Sequence, residues 1–238
     1  MSDRFYFRQW LAGRDLAKDN PAARQMVNFV YAIGDAETGE ALLVDPAWAP
    51  REAVELLEAD GMQLTGVLAT HYHPDHVGGN LMGQVEVAGI TELLEHADVP
   101  IHVQEAELPW VQRVTGVGAD QLRSHEGGDR VTVGSVEVEL VHTPGHTPGS
   151  QCFLVEGCLV AGDTLFLEGC GRTDLPGGDP EEMYRSLTQR LAKVPDDTVL
   201  FPGHLYAPEA SASMGETRRY NHVFVPGSAA EWVAAFGR

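Results

Sequence analysis

The apolar stretch Gly66-Val67-Leu68-Ala69-Thr70 runs straight into His71-Tyr72-His73-Pro74-Asp75-His76, which packs three imidazoles and a carboxylate into six residues. A buried strand ending in such a run predicts a metal site at the strand's end. Imidazole and carboxylate together suit zinc, iron or manganese, and closely spaced ligands lower the entropy cost of assembling a site. The plain alternative is a solvated polar turn, and the downstream sequence decides between them.

Short apolar runs rich in Val, Leu and Phe recur between Gly, Pro and Asp, which predicts a mixed α and β chain of buried strands broken by turns. Residues 27–32 and 41–44 read as hairpin-joined strands, followed by a helix over 51–60 that Gly61 stops. After the strand 66–70 come a short helix over 91–97, a strand at 101–103 and a helix over 105–115. The alternation over 131–141 is a hairpin turning at Gly134-Ser135. Further strands are expected at 151–155, 158–161 and 198–201. A helix over 180–194 starts with Asp179 as its cap and Pro180 in its first position. The 238 residues fit a single domain over 1–238. Two loosely similar halves, roughly 1–125 and 126–210, precede a short carboxy-terminal tail, without a strict repeat.

With 16 Lys and Arg against 35 Asp and Glu, the formal charge is -19. Such a chain is a poor partner for nucleic acid or an anionic membrane surface, which need positive patches. Acidic small molecules are also repelled, so an acidic ligand must be held by local cations, either metal or arginine. Cys152, Cys158 and Cys170 are too few for a disulfide framework and fit a reducing compartment. The amino terminus lacks the pattern of a secretory signal and no apolar run reaches membrane-span length, so a cytoplasmic protein is expected.

Three further polar residues follow the same grammar, each just past an apolar strand in a turn rich in Gly, Pro or Thr. They are His146 in Thr143-Pro144-Gly145-His146-Thr147-Pro148-Gly149, Asp163 in Ala161-Gly162-Asp163-Thr164-Leu165-Phe166, and His204 in Phe201-Pro202-Gly203-His204. Residues at the same ends of neighbouring strands converge on one sheet edge. The count suffices for two metals: His71, His73 and His146 for one, Asp75, His76 and His204 for the other, with Asp163 bridging. Two cations close together need such an anionic bridge to offset their repulsion.

This ordered set, from the His-x-His-x-Asp-His run to His204, resembles the metallo-β-lactamase-fold superfamily over nearly the whole chain. The resemblance implies an α/β fold, a four-layer αββα sandwich with the metal site at one edge between two sheets. Gly162-Asp163-Thr164-Leu165-Phe166, Gly169-Cys170-Gly171-Arg172 and Pro202-Gly203-His204-Leu205-Tyr206 resemble the glyoxalase II-like thioesterases (hydroxyacylglutathione hydrolases). Gly169-Cys170-Gly171-Arg172-Thr173-Asp174 equally resembles the persulfide dioxygenases. Two departures stand out. Thr173-Asp174 replaces the aromatic pair of glyoxalase II, and only a short tail follows His204 where those enzymes carry a helical domain that helps hold glutathione.

The resemblance implies a metallohydrolase that cleaves an acyl thioester or another ester with a metal-bridging hydroxide, using two divalent ions, zinc first, with iron or manganese as alternatives. Asp75 and Asp163 are the carboxylates assigned to catalysis. Arg172 is the candidate for a substrate carboxylate, with a salt bridge to Asp174 or Asp179 as its alternative. Tyr206 is the candidate to offer a hydroxyl to the substrate carbonyl, with packing as its alternative. Asp45 is expected to support the first cluster from behind. Cys170 and His96, His102, His125, His142 and His222 read as packing, surface or structural residues. The competing readings are a mononuclear iron dioxygenase using His71, His146 and Asp163, and an inert metal-stabilised binding module. A homodimer is left open.

Overall fold

A computed structural model describes residues 4–237 of the chain. The first sheet opens with β1 (Phe5–Leu11), β2 (Phe29–Asp35), β3 (Glu40–Val44) and β4 (Gln63–Leu68). A small hairpin, β5 (Gly79–Leu81) and β6 (Val85–Val87), leaves it before β7 (Ile101–Gln104) and β8 (Leu122–His125) complete the order β1-β2-β3-β4-β7-β8. The second sheet comprises β9 (Arg130–Val133), β10 (Val136–His142), β11 (Gln151–Val155), β12 (Cys158–Gly162), β13 (Val199–Pro202) and β14 (Ala212–Ser213), in the order β14-β13-β12-β11-β10-β9. The hairpin between β9 and β10 turns at Gly134-Ser135 as expected, with Val133 opposite Val136.

Period-two burial explains the layering. Leu11, Phe29, Tyr31, Ile33, Leu42 and Val44 point from the first sheet onto Val131, Val138, Leu140, Phe153 and Val160 of the second. The opposite face of the first sheet, with Val30, Ala32, Leu43, Val67 and Ile101, is covered by the helices Pro50–Ala59, Ile90–Leu94 and Leu108–Thr115 through Ala53, Leu57, Ile90, Leu93 and Val111. The opposite face of the second, with Cys152, Leu159, Ala161 and Leu200, packs on Met183, Leu187, Met214, Val223 and Trp232. Helix, sheet, sheet and helix therefore form the four-layer αββα sandwich, because strands apolar on both faces need cover on both. No helix among the described residues is long and apolar enough to cross a membrane.

Several elements differ from the sequence reading. The strand expected from residue 27 starts at Phe29, because Val27 sits in the left-handed region (φ 51°) and closes the helix Pro21–Met26. The helix expected over 105–115 begins as a tight turn, Glu105–Glu107, before the α-helix Leu108–Thr115, whose first turn carries Pro109. The helix at Pro180 is capped by Asp179, whose carboxylate accepts from the Glu181 and Glu182 amides, yet it is α-helical only to Arg185 before widening over Ser186–Arg190. The tail after His204 carries the helices Met214–Tyr220 and Ala229–Phe236, and Trp232 is fully buried with its indole donating to the Val223 carbonyl.

Candidate metal centre

Strand direction brings the polar turns together. β10 and β12 both pair antiparallel with β11, and β13 runs parallel to β12, so the carboxy ends of all three lie at one edge of the second sheet. β4 of the first sheet ends there too, since the Gln151 amide donates to the Thr70 carbonyl (3.0 Å) and the Gln151 side chain to that of Ala69 (2.9 Å). The turn after β13 is stitched across by Phe29 N–H to Gly203 O and Leu205 N–H to Val27 O. All seven expected ligands, His71, His73, Asp75, His76, His146, Asp163 and His204, meet at this edge.

The hydrogen bonds behind the rings fix which nitrogen faces inward. His146 Nδ1 donates to the Arg172 carbonyl (2.7 Å), His204 Nδ1 to the Met26 carbonyl (2.7 Å) and His76 Nδ1 to Asp45 (2.9 Å). The Thr70 hydroxyl donates to Asp45 (2.5 Å), so it accepts from His71 Nδ1 (3.0 Å). In each ring Nδ1 is committed to a partner behind it and Nε2 is the nitrogen that faces the centre, the one a metal would take. His73 uses its other nitrogen, Nδ1 lying 2.9 Å from His146 Nε2.

Two triads result, His71 with His73 and His146, and Asp75 with His76 and His204, each with ligand atoms within 4.8 Å of one another. Asp163 reaches both, its Oδ1 3.4 Å from His76 Nε2 and its Oδ2 3.3 Å from His204 Nε2 and 3.6 Å from His146 Nε2. His71 Nε2 and Asp163 Oδ1 are buried without a hydrogen-bond partner. Burying such groups unpaired is costly, and a cation placed among them satisfies both, so the donor set fits metal. Asp45 also lies within reach of His71 and His76. Its oxygens are already taken by the Thr70 amide, the Thr70 hydroxyl and His76, so it supports the ligands and does not join them.

Electrostatics divide the triads. Burial, reinforced by neighbouring imidazoles, holds His71 and His146 below the usual histidine range and His73 down at about 3, so these rings are neutral donors. Burial also opposes charge on His76 and His204. Asp163 and Asp75 overcome it, raising His204 and pushing His76 up to about 10. The second triad therefore selects positive charge, as a proton or as a metal ion. Asp163 itself lies well below the carboxylate range, since the surrounding imidazoles outweigh its burial.

The centre uses residues that motif reading does not single out. Asn28 is buried, and Trp48 Nε1 donates to its Oδ1 (2.9 Å), which turns the amide Nδ2 onto Asp75 Oδ2 (3.0 Å), His76 Nε2 and His204 Nε2 (3.3 Å each). Glu107 accepts from the Tyr72 amide (2.7 Å), the Thr147 hydroxyl (2.8 Å) and the Gly149 amide (2.6 Å). Burial pushes its carboxyl up to about 7 against the pull of those donors. The only advance sign of Asn28 is a lone polar residue ahead of a buried strand. Nothing distinguishes Glu107 from Glu105 in sequence. Glycine is required where the backbone crowds the ligands, because a Cβ on Gly171 would overlap the Asp163 carbonyl and the His146 ring, and one on Gly203 would overlap Asp163 Oδ1.

Arg172 and Tyr206 both line the cavity above the ligands. The Arg172 guanidinium makes a two-pronged pair with Asp174, both contacts at 2.7 Å. Tyr206 stacks face to face on the His204 ring, 4.7 Å between centroids and 7° between planes. Burial pushes the Cys170 thiol up to about 12, as befits a packing residue. Of the histidines set aside, His96 and His222 are exposed, His142 bonds the Pro148 carbonyl, and His102 and His125 pair with each other on β7 and β8.

A two-sheet sandwich with this His and Asp centre at its shared edge defines a metallohydrolase-like protein. The chain belongs to the Metallo-beta-lactamase superfamily, matched over residues 24–204. It is 37% identical over 183 residues to a hydroxyacylglutathione hydrolase of a Polaromonas species, covering 75% of this chain and 62% of that protein. It is 31% identical over 197 residues to the human mitochondrial persulfide dioxygenase ETHE1, covering 81% and 70%. Among solved structures, ETHE1 from Myxococcus xanthus superposes with a TM-score of 0.76 at 27% identity, covering 96% of this chain and 88% of that one.

Proposed function

We propose that the chain is a metal-dependent hydrolase of acyl thioesters, with His71, His73 and His146 holding one ion, Asp75, His76 and His204 a second, and Asp163 shared between them. The observation that carries this reading is the second triad, complete in its donors, with the carboxylates of Asp75 and Asp163 both facing the Nε2 atoms of His76 and His204. Bound there, divalent metal, zinc first with iron or manganese as alternatives, supplies hydroxide at neutral pH and an electrophile for the carbonyl oxygen. The chain's own part is to hold the donors in place. Asp45 fixes the His76 ring and the Thr70 turn, backbone carbonyls fix His146 and His204, and Asn28 orients Asp75. Thiolate is a good leaving group, so no general acid is required of the protein.

A second reading is favoured by the loop Gly169-Cys170-Gly171-Arg172-Thr173-Asp174 and by the likeness to persulfide dioxygenases. There His71, His146 and Asp163 would form the two-histidine, one-carboxylate set that suits a single iron. Metal analysis of the protein purified without added metal separates the two, run beside thiol release from acyl thioesters and oxygen uptake with glutathione persulfide. Two ions per chain with thiol release is the expected result, and one iron with oxygen uptake overturns it. His76→Ala and His204→Ala should each lower thioester hydrolysis by about 100-fold or more, since each removes a second-triad donor and several kcal/mol of stabilisation are at stake.

A further inference from the structure

The cavity above the metal ligands encloses about 710 Å³ and is lined unevenly. Its floor is the ligand set. Its walls are Leu81 and Met82 from the β5–β6 hairpin, Val114 from the helix Leu108–Thr115, and Phe166 and Leu175 from the segment after β12, with Tyr206 at the rim. Several separate chain segments thus converge on one apolar wall. Its volume falls in the usual range for small-molecule sites. Met82 is 75% exposed, an unbranched and adaptable side chain left at the mouth.

Charge is distributed the opposite way from what an anionic substrate needs. Among the described residues lining the cavity, Arg172 is the single lysine or arginine, and Glu168 adds a carboxylate. Arg172 is held by Asp174, two residues away in the same loop, through two parallel hydrogen bonds. A ligand carboxylate would have to displace a carboxylate already present at the high effective concentration of an intramolecular partner. The whole chain adds a field of formal charge -19. Bound metal would offset this only at the floor, where the reacting carbonyl must sit, and not along the walls that receive the rest of the substrate.

We propose that this cavity takes an acyl thioester with an apolar tail and a thiol-bearing half that carries no net negative charge, in preference to an anionic glutathione conjugate. The inference rests on the hydrolase reading for the reaction and on the cavity alone for the ligand class. Burial of the tail against Leu81, Val114 and Leu175 supplies affinity in proportion to its length, about fourfold per methylene buried.

Two measurements on the metal-loaded protein keep the inference and the hydrolase reading apart. The first is calorimetric titration with two non-hydrolysable thioethers sharing one tail, S-hexyl-N-acetylcysteamine and S-hexylglutathione. The uncharged thioether should bind at least tenfold more tightly, and added salt should narrow the gap by screening the repulsion. Asp174→Asn, which frees the Arg172 fork, should tighten S-hexylglutathione about tenfold and leave the uncharged ligand within twofold. Equal or tighter binding of S-hexylglutathione by the unaltered chain overturns the inference. The second is thiol release from the butanoyl to octanoyl thioesters of N-acetylcysteamine. Turnover that climbs with tail length, and climbs less in Leu175→Ser, is the expected outcome. Binding of the uncharged thioether without release of thiol from any thioester upholds the ligand class and defeats the hydrolase reading.

Discussion

Glu107 joins the two turns that carry opposite sides of one triad. Its carboxylate holds the Tyr72 amide, between His71 and His73, and also the Thr147 hydroxyl and Gly149 amide, just past His146. Buried at 1% exposure, it has no water to fall back on. Glu107→Gln keeps the shape but replaces one acceptor oxygen with a donor that must face another donor. The expected loss is about 2 kcal/mol of stability, the cost of leaving a buried donor unsatisfied. Because the residue positions ligands without touching metal, its loss should also weaken metal affinity by about tenfold or more. Competition with a chelator of known affinity measures the second effect, and an unchanged metal affinity would confine Glu107 to a role in the fold. The contrast with the ligands themselves is instructive. His71 to His76, His146, Asp163 and His204 are legible because each is chemically distinctive and each follows an apolar run into a turn. Glu107 and Asn28 owe their importance to what packs over them, which one-dimensional spacing does not encode.

At the scale of elements, the strands legible in sequence are those apolar on both faces, such as β4 and β12, or those with a diagnostic turn, such as β9 and β10 at Gly134-Ser135. β1 is hidden because Arg8 and Gln9 interrupt its aromatic alternation, although Phe7 packs on Tyr31 and Phe201. β8 reads as polar, Leu122-Arg123-Ser124-His125, and is a strand only because β7 offers it a parallel edge. That edge carries its own titration. His102 Nδ1 lies 2.8 Å from His125 Nε2, and burial, then His125 and Arg123, hold His102 down at about 4. Between that value and the ordinary 6.5, His102 is less protonated in the folded chain than in the unfolded one. The stability tied to the neutral His102 ring is therefore complete above pH 6.5 and declines as pH falls toward 4. In urea unfolding, the chain should lose about 2 kcal/mol more between pH 7 and pH 5 than His102→Gln does, since that variant removes the ring whose protonation burial opposes. An identical pH dependence in the variant would show that the acid sensitivity arises elsewhere.

Across the whole molecule, the two sheets are pinned at opposite ends by different means. At one end Asp35, fully buried, receives the Ser135 amide and Arg4 Nε, both at 2.7 Å, and so ties β2 to the turn between β9 and β10. At the other end the candidate metal ligands are shared between the layers, with His71, His73, Asp75 and His76 on the side of the first sheet and His146, Asp163 and His204 on the side of the second. Without a cation, that end concentrates buried lone pairs and carboxylates whose mutual repulsion only protons relieve. Metal bound by this set would cross-link the sheets, and its free energy would add to folding by mass action, about 4 kcal/mol when free metal stands a thousandfold above its dissociation constant. For a chain of this length, chelation should lower the melting temperature by about 10 °C. It should do so unevenly, because the core between the sheets and the Asp35 tie do not depend on metal. Amide exchange in the chelated protein should rise in the turns around Thr70, His146, Asp163 and His204 while β2 near Asp35 and the amide of Ser135 keep their protection. Uniform loss of protection would mean instead that the metal centre holds the entire sandwich together.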